Sequence, residues 1–241
     1  MGHWQERTEL LVGSEGLDKL AKAHVLVIGV GGVGGFAAEA VGRAGVGKIT
    51  LVDGDVIEQS NRNRQIAALI STDGMPKAEV IGNRIKDVNP NVELDVKKIY
   101  LDRDNIKELL LAEKYDYIIE CIDTLVPKME IITTAIQNKI KIISSMGAGG
   151  RVDPTQTKVA RLKDTYNCQL AQKIRKRIKE KSIKRKLKVV FSPELIDKSK
   201  VKTVEGVMHK ASTIGTISYM PAVFGLTCAS VALRGILEED K

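Results

Sequence analysis

An α/β fold with a doubly wound, mostly parallel sheet, finished by C-terminal strands and helices, is what this 241-residue chain predicts. Three observations carry it. Short apolar runs without alternation, HVLVIGV (24–30) first among them, read as strands buried on both faces. A helical pattern follows nearly every such run up to residue 150, the order that right-handed crossovers of a parallel sheet require. The first run also ends in a glycine turn that opens a helix.

The elements follow in order. Residues 1–23 form a short helical lead-in. After HVLVIGV a helix runs to Ala44 and is stopped by Gly45. KITLVD (48–53) is the second strand, and SNRNRQIAAL (60–69) starts as a polar turn and continues as a short helix. Pro76 opens KAEVIGNRIKDVN, whose Val80, Ile81, Ile85 and Val88 share one face. VELDVKKIY alternates as a strand, NIKELLLAEK is a helix, and YDYIIECID (115–123) is a strand ending in an acid. PKMEIITTAIQNK is a helix, and IKIISSMGAGG (140–150) is a strand running into a glycine-rich turn. Beyond it KVARL and LKVVFS read as strands around a very basic helix, and residues 196–213 read as a polar loop. Ile214–Leu233 is uncharged over twenty residues, long enough to span a bilayer. Pro221, Gly225 and its Ser and Thr residues make a buried core helix the expectation, with no membrane partner.

Composition narrows the function. Apolar residues at 43% and charged residues at 28% are ordinary for a globular protein. Aromatics at 4% argue against base stacking as the main mode of recognition. The net charge of +8 favours a polyanionic partner. Cys121, Cys168 and Cys228 are odd in number and form no CxxC, so no disulfide framework or four-thiolate zinc site is built from them. With MGHWQERTELL lacking a basic-then-apolar leader, a reducing, cytoplasmic setting is expected.

Gly29, Gly31 and Gly34 satisfy G-x-G-x-x-G between a strand and a helix, and Asp53 lies nineteen residues beyond Gly34. The glycines permit a tight turn and close backbone approach, the helix N-terminus attracts phosphate, and the acid suits a ribose hydroxyl. A nucleotide therefore binds in this Rossmann-like part. DGDVIEQSNRNRQ (53–65) then places Asn61, Arg62, Arg64 and Gln65 near the phosphates, and Lys77 opens the next helix twelve residues after Gln65. Arginine and lysine here suit a triphosphate and the charge that develops on transfer. Asp123 ends a strand at the edge where ligands sit in such folds, placed to hold a magnesium ion.

The set Gly29, Gly31, Gly32, Gly34, Asp53, Asp55, Asn61, Arg64, Gln65, Lys77 and Asp123 resembles the ubiquitin-activating-enzyme-like superfamily, which adenylates carboxylates. Within it the chain is similar to the tRNA threonylcarbamoyladenosine dehydratases over nearly its whole length. ERTELLVGSEGLDKL, NRNRQIAAL, KAEVIGNRIKDVNPNVE, YDYIIECIDTLVPK, IISSMGAGGRVDPT and KVVFSPE carry the likeness. The resemblance implies ATP and Mg2+ as cofactors and a tRNA carrying threonylcarbamoyladenosine as substrate, its threonyl carboxylate adenylated and a ring then closed with loss of water. It implies Arg64 and Lys77 on the ATP phosphates, Asp53 on ribose and Asp123 organising magnesium. It also implies a homodimer in which Arg7 reaches the nucleotide of the other copy, and a monovalent cation, Na+ or K+, near SSMGAGG. A sulfur-relay protein is a further partner it allows. Arg151–Asp153 would shape the acceptor pocket. One domain is expected over 1–241, its nucleotide-binding part about 22–150 and its substrate-facing part about 151–241.

KIRKRIKEKSIKRKLK, from Lys173 to Lys188, holds ten basic residues against Glu180 alone. Ile174 and Ile178 anchor one face. Lys173, Arg175, Lys176, Arg177, Lys179, Lys184, Arg185 and Lys186 are the residues expected to meet tRNA phosphates. One departure is that members of the family it resembles often have Asp-Pro where this chain has Asn167-Cys168. An acyl adenylate needs no thioester, so Cys168 has no required catalytic role, although its basic neighbourhood favours thiolate and leaves a transient thioester open. Cys121 and Cys228 read as packing. Two other readings share parts of the pattern. An activator of a ubiquitin-like sulfur carrier would use the same nucleotide residues, but its relatives often carry zinc knuckles. An NAD-dependent oxidoreductase would use the glycines and Asp53 and leave Arg64, Lys77 and Asp123 without a role.

Overall fold

The computed structural model describes residues 3–181, 186–203 and 212–238. The chain runs α1 (Glu6–Lys22), β1 (His24–Ile28), α2 (Gly34–Arg43), β2 (Lys48–Val52), α3 (Lys77–Val88), β3 (Glu93–Lys97), α4 (Arg103–Ala112) and β4 (Tyr117–Glu120). It continues through α5 (Leu125–Gln137), β5 (Ile142–Ser145), β6 (Lys158–Arg161), α6 (Gln169–Glu180), β7 (Lys188–Phe191), β8 (Val201–Thr203), β9 (Ser212–Ile214) and α7 (Tyr219–Leu237).

Seven strands form one sheet in the order β3-β2-β1-β4-β5-β7-β6. Every pairing is parallel except that of β6 with β7, which closes the edge antiparallel. The unalternating strands are explained by burial on both faces. Val25 and Val27 of β1 point into a core with α2, α3 and α7, while Leu26 and Ile28 point into a core with α4, α5 and α6. The order reverses between β1 and β4, whose carboxyl ends lie side by side there. A crevice outside the strand ends at such a switch point is where this architecture holds ligands.

α7 packs against α2 and the sheet, with Phe224, Cys228 and Ala232 fully buried. Gly225 makes the close crossing possible, because a side chain there would run into the Val33 carbonyl. The expected core helix is therefore present. By length and composition alone Tyr219–Leu237 would also cross a membrane, with mean hydropathy 1.6, but half of that window is buried within the chain.

Four expectations are corrected. The lead-in is a 17-residue helix bent at Gly13, where φ is +74°. The segment after β2 holds two 3-10 turns, Gln59–Asn61 and Ile70–Thr72, rather than a short helix; at the first the Asn61 side chain accepts the Glu58 N–H and folds the chain locally. The strand 115–123 stops at Glu120, since the Glu120 carboxylate takes the Ile122 N–H (2.8 Å) and diverts the chain from the ladder. Residues 196–213 are not all loop, for β8 lies within them and pairs antiparallel with β9, which begins at Ser212.

Candidate nucleotide and acceptor site

Gly29 leaves β1 at φ +80° and donates its N–H to the Val52 carbonyl (2.8 Å). A Cβ at Gly29 would sit 3.2 Å from the backbone of Cys121 and Ile122, and one at Gly34 would strike the Gly29 carbonyl. Both glycines are thus required by geometry. Gly31 faces the Gln65 amide, and Gly32 abuts Pro221 of α7. The first turn of α2 opens directly from this loop, so its free N–H groups and positive dipole end face the crevice.

Asp53 ties the loop to the second strand. Its Oδ2 accepts the Val30 N–H (2.8 Å) and its Oδ1 the Asp55 N–H (2.9 Å). Burial pushes its carboxyl pKa up from the usual range. Asp55 in turn accepts Lys77 Nζ at 2.7 Å, and the Lys77 N–H donates to the Asp55 carbonyl. A buried ammonium is therefore held beside the glycine loop with one carboxylate already on it. Tyr100, which sequence reasoning missed, lies over Gly54, where a Cβ would come within 2.7 Å of its ring. The Asp55 charge beside it raises its pKa.

The turn after β2 presents the next group. The buried Asn61 carbonyl accepts the N–H groups of Arg64 (3.1 Å) and Gln65 (2.9 Å), which fixes both residues. Arg64 Nη1 donates to the Ser60 carbonyl and to Asn63 Oδ1, each at 2.8 Å, and the rest of its guanidinium stays available. Arg62 turns away to pair with Asp73. Gln65 is buried against Gly31 with its Oε1 unpartnered, an orphan acceptor that a bound ligand would satisfy. Glycine cradle, buried lysine, half-open arginine and orphan amide together fit a phosphorylated nucleotide.

Asp123 is exposed in the turn after β4 rather than at its last residue. Among the described residues no group of three or more His, Cys, Asp or Glu would hold a metal by itself. One carboxylate shared with phosphates and water is the usual arrangement for magnesium, so Asp123 fits that role. Beneath it sits a feature missed in the sequence. Glu120 and Lys128 are fully buried and paired, and Glu120 Oε2 also accepts Ser144 Oγ (2.5 Å). Lys128 Nζ donates further to the Ser145 carbonyl (2.9 Å). The signal was legible as one charge inside YIIE and another inside PKMEII, each stranded in an apolar run.

The region expected to shape the acceptor pocket is assembled from distant segments. Arg151 is 1% exposed, and it donates to the carbonyls of Glu194 and Asn167. Burial pulls its pKa down. The Glu194 carboxylate accepts the N–H groups of Val152 and Asp153, each at 3.0 Å. Tyr219 Oη donates to the Val152 carbonyl (2.9 Å), which brings the start of α7 onto the same turn. Asn167 takes φ +53°, which asparagine tolerates better than most residues. Cys168 is buried in the core under α6, the setting of a packing thiol rather than an exposed nucleophile.

On α6, Ile174 is buried and Ile178 partly so, as expected. Lys173, Lys176, Arg177 and Lys179 are exposed, and so is Lys186 before β7. Arg175 differs from its neighbours: it is half-buried, and its Nη1 donates to the Thr165 carbonyl (2.6 Å) and hydroxyl, so part of its guanidinium braces the preceding turn. Lys184 and Arg185 lie outside the described residues. Arg7 is not brought to the crevice within this chain. Gln5 Nε2 bonds the Ala44 carbonyl, which places the start of α1 at the end of α2 remote from the glycine loop.

Residues 5–241 match the ThiF family. The tRNA threonylcarbamoyladenosine dehydratase of Escherichia coli (strain K12) is 38% identical over 254 residues, covering 97% of this chain and 94% of that one. The enzyme of the same name from Bacillus subtilis (strain 168) is 39% identical over 194 residues, 80% of this chain and 76% of that one. Among solved structures, the E. coli tRNA N6-threonylcarbamoyladenosine dehydratase, TcdA, in complex with ATP aligns with a TM-score of 0.86 at 36% identity, over 97% of this chain and 95% of that chain.

Proposed function

The chain belongs to the ThiF family, and from that premise we propose that it is an ATP-dependent tRNA threonylcarbamoyladenosine dehydratase. In this reaction a threonyl carboxylate oxygen bonds the α-phosphorus of ATP and pyrophosphate departs. A nucleophilic group of the same modified nucleoside then attacks the acyl carbon, AMP leaves, and a ring is closed with net loss of water.

The observation that carries the reading is the crevice itself, where the glycine loop, buried Lys77 and half-open Arg64 share the sheet edge with the Gly149–Asp153 turn. Lys77 and Arg64 hold the phosphates and stabilise the charge that grows on the leaving pyrophosphate. Asp53 offers its remaining lone pairs to the ribose. Asp123 would hold Mg2+, which lends the phosphates electrophilic character when bound. The exposed face of α6, with Lys173, Lys176, Arg177 and Lys179, supplies phosphate contacts to a folded RNA. The reading gives Arg7 a place only in a homodimer, at the nucleotide of a second copy. A monovalent cation at the carbonyls of the Met146–Gly150 turn, a sulfur-relay partner and a cytoplasmic location are parts of the same proposal. Activation of a sulfur carrier leaves the basic face of α6 without a ligand, and hydride transfer leaves Lys77 and Arg64 without one.

The test is pyrophosphate release from magnesium–ATP with and without tRNA carrying threonylcarbamoyladenosine, followed by mass spectrometry of the nucleosides. RNA-dependent release and loss of one water from the modified adenosine is the expected result. Release with an unchanged RNA would move the substrate to a protein carboxylate.

A further inference from the structure

Asn63 is the residue through which the nucleotide turn touches the far end of the chain. Its amide has two ends and both are engaged. Oδ1 accepts Arg64 Nη1 at 2.8 Å, and Nδ2 donates to the Thr216 carbonyl at 2.9 Å, across 153 residues of sequence. Thr216 follows β9, and this segment sits on the acceptor turn. The Gly150 N–H donates to the Gly215 carbonyl (2.8 Å), and a Cβ on Gly149 would lie 3.2 Å from Ile214 and from Thr216 Oγ1. The Gly215 N–H donates to the Lys200 carbonyl just before β8 (2.9 Å). A continuous path of bonds therefore runs from the Arg64 guanidinium through Asn63, Thr216 and Gly215 to Gly150, next to Arg151.

We propose that Asn63 is a positioning residue that couples the acceptor side to Arg64, setting the guanidinium when the turn around Gly150 is occupied by the RNA substrate. The inference rests on the dehydratase reading. The chemistry of the amide makes the coupling specific. One planar group fixes the direction of an acceptor toward Arg64 and of a donor toward Thr216, so a shift of the Thr216 segment rotates the oxygen on which Arg64 depends. Arg64 keeps a second hold on the Ser60 carbonyl, so the nucleotide turn survives without Asn63 but loses the link.

Two substitutions separate the two ends. Asn63→Asp keeps an oxygen for Arg64 and removes the N–H that reaches Thr216. Asn63→Ala removes both. Asn63 is exposed, so both variants are expected to melt with the wild type. For Asn63→Asp the expected result is an unchanged ATP affinity with a kcat for tRNA-dependent pyrophosphate release down by about tenfold, the worth of one good hydrogen bond. For Asn63→Ala both ATP affinity and kcat fall. Wild-type kcat in Asn63→Asp, or identical behaviour of the two variants, overturns the coupling. A second measurement is independent of the chemistry. Amide hydrogen exchange of residues 212–218 should slow when ATP binds the wild type and not when it binds Asn63→Asp. Equal slowing in both proteins overturns the proposal even where turnover cannot be read. A wild type that releases no pyrophosphate with tRNA would instead strike the dehydratase reading, leaving the exchange experiment to decide the role of Asn63.

Discussion

The nucleotide side and the acceptor side of the crevice are built by opposite means. On the nucleotide side, Asp53, Asp55, Asn61, Arg64 and Gln65 come from one loop and are fixed largely by bonds to near neighbours, with Val30 on Asp53 and Lys77 on Asp55 as the partners from outside it. Their chemistry is left partly unspent, as the open Arg64 guanidinium and the orphan Gln65 Oε1 show. On the acceptor side, Arg151 reaches Asn167 and Glu194, and Tyr219 returns from α7 to Val152. There the charges are consumed in holding the backbone together. The difference teaches where each kind of residue does its work: local loops present reactive groups, and buried long-range braces shape the space beside them.

The largest break of this comparison is at its common floor. Lys128→Met leaves the Glu120 carboxylate buried without its cation, which should cost about 3–5 kcal/mol of unfolding free energy in urea titration. Lys128→Met combined with Glu120→Gln should recover much of that loss, because no bare charge remains. A double variant no more stable than the single one would show that the pair matters through geometry rather than charge.

Next is Arg151→Met. It strips the Glu194 and Asn167 carbonyls of a buried donor and should cost about 1–3 kcal/mol. On the acceptor side it should raise KM for tRNA while leaving KM for ATP near wild type. Equal rises in both constants would mean that the two sides are not separately built.

How legible each side was in the sequence follows from the same contrast. The placement of the glycine loop, Asp53 and Lys77 was readable because each sits at a fixed spacing from a strand end, and spacing survives in one dimension. The sheet was readable because burial on both faces erases alternation. Glu120 and Lys128 were missed because their partnership is set by how α5 lies on β4, although charges inside apolar runs pointed to it. The end of β4 was misplaced for a related reason, since a side chain rather than a glycine or proline ends the ladder. β8 and β9 are three residues each and polar, too short for any period to register. That Arg175 also leans on Thr165 was not legible, because helical spacing cannot reveal what lies against a side chain.

α6 sharpens the contrast within one helix. Replacing Lys173, Lys176, Arg177 and Lys179 by Ala should weaken tRNA binding and lower the slope of log affinity against log salt by about one for each RNA phosphate that no longer meets a cation. Arg175→Ala should leave that slope unchanged and lower the melting temperature instead, since its Nη1 is held by Thr165. A reduced slope in Arg175→Ala would return this residue to the RNA face.

The smallest expected effect is the most telling about the nucleotide side. Burial raises the Asp53 pKa above its unfolded value, so the folded protein binds that proton more tightly than the unfolded chain does. The sign follows from linkage: the stability contributed is present below the unfolded pKa, near 3.9 for aspartate, and is lost as pH rises through the folded value. At neutral pH the ionised Asp53 is therefore a cost that the fold tolerates. Asp53→Asn keeps an oxygen for one of the two N–H groups, removes the buried charge, and should flatten the acid limb of the stability profile without loss of stability at pH 7. The same variant should bind ATP more weakly, because a neutral amide is a poorer acceptor for a ribose hydroxyl than a carboxylate. Stability held or gained together with affinity lost would place Asp53 among groups kept for ligand rather than for fold. A drop in stability at pH 7 would instead make it a brace of the same kind as Arg151, and the contrast between the two sides would narrow to Arg64 and Gln65.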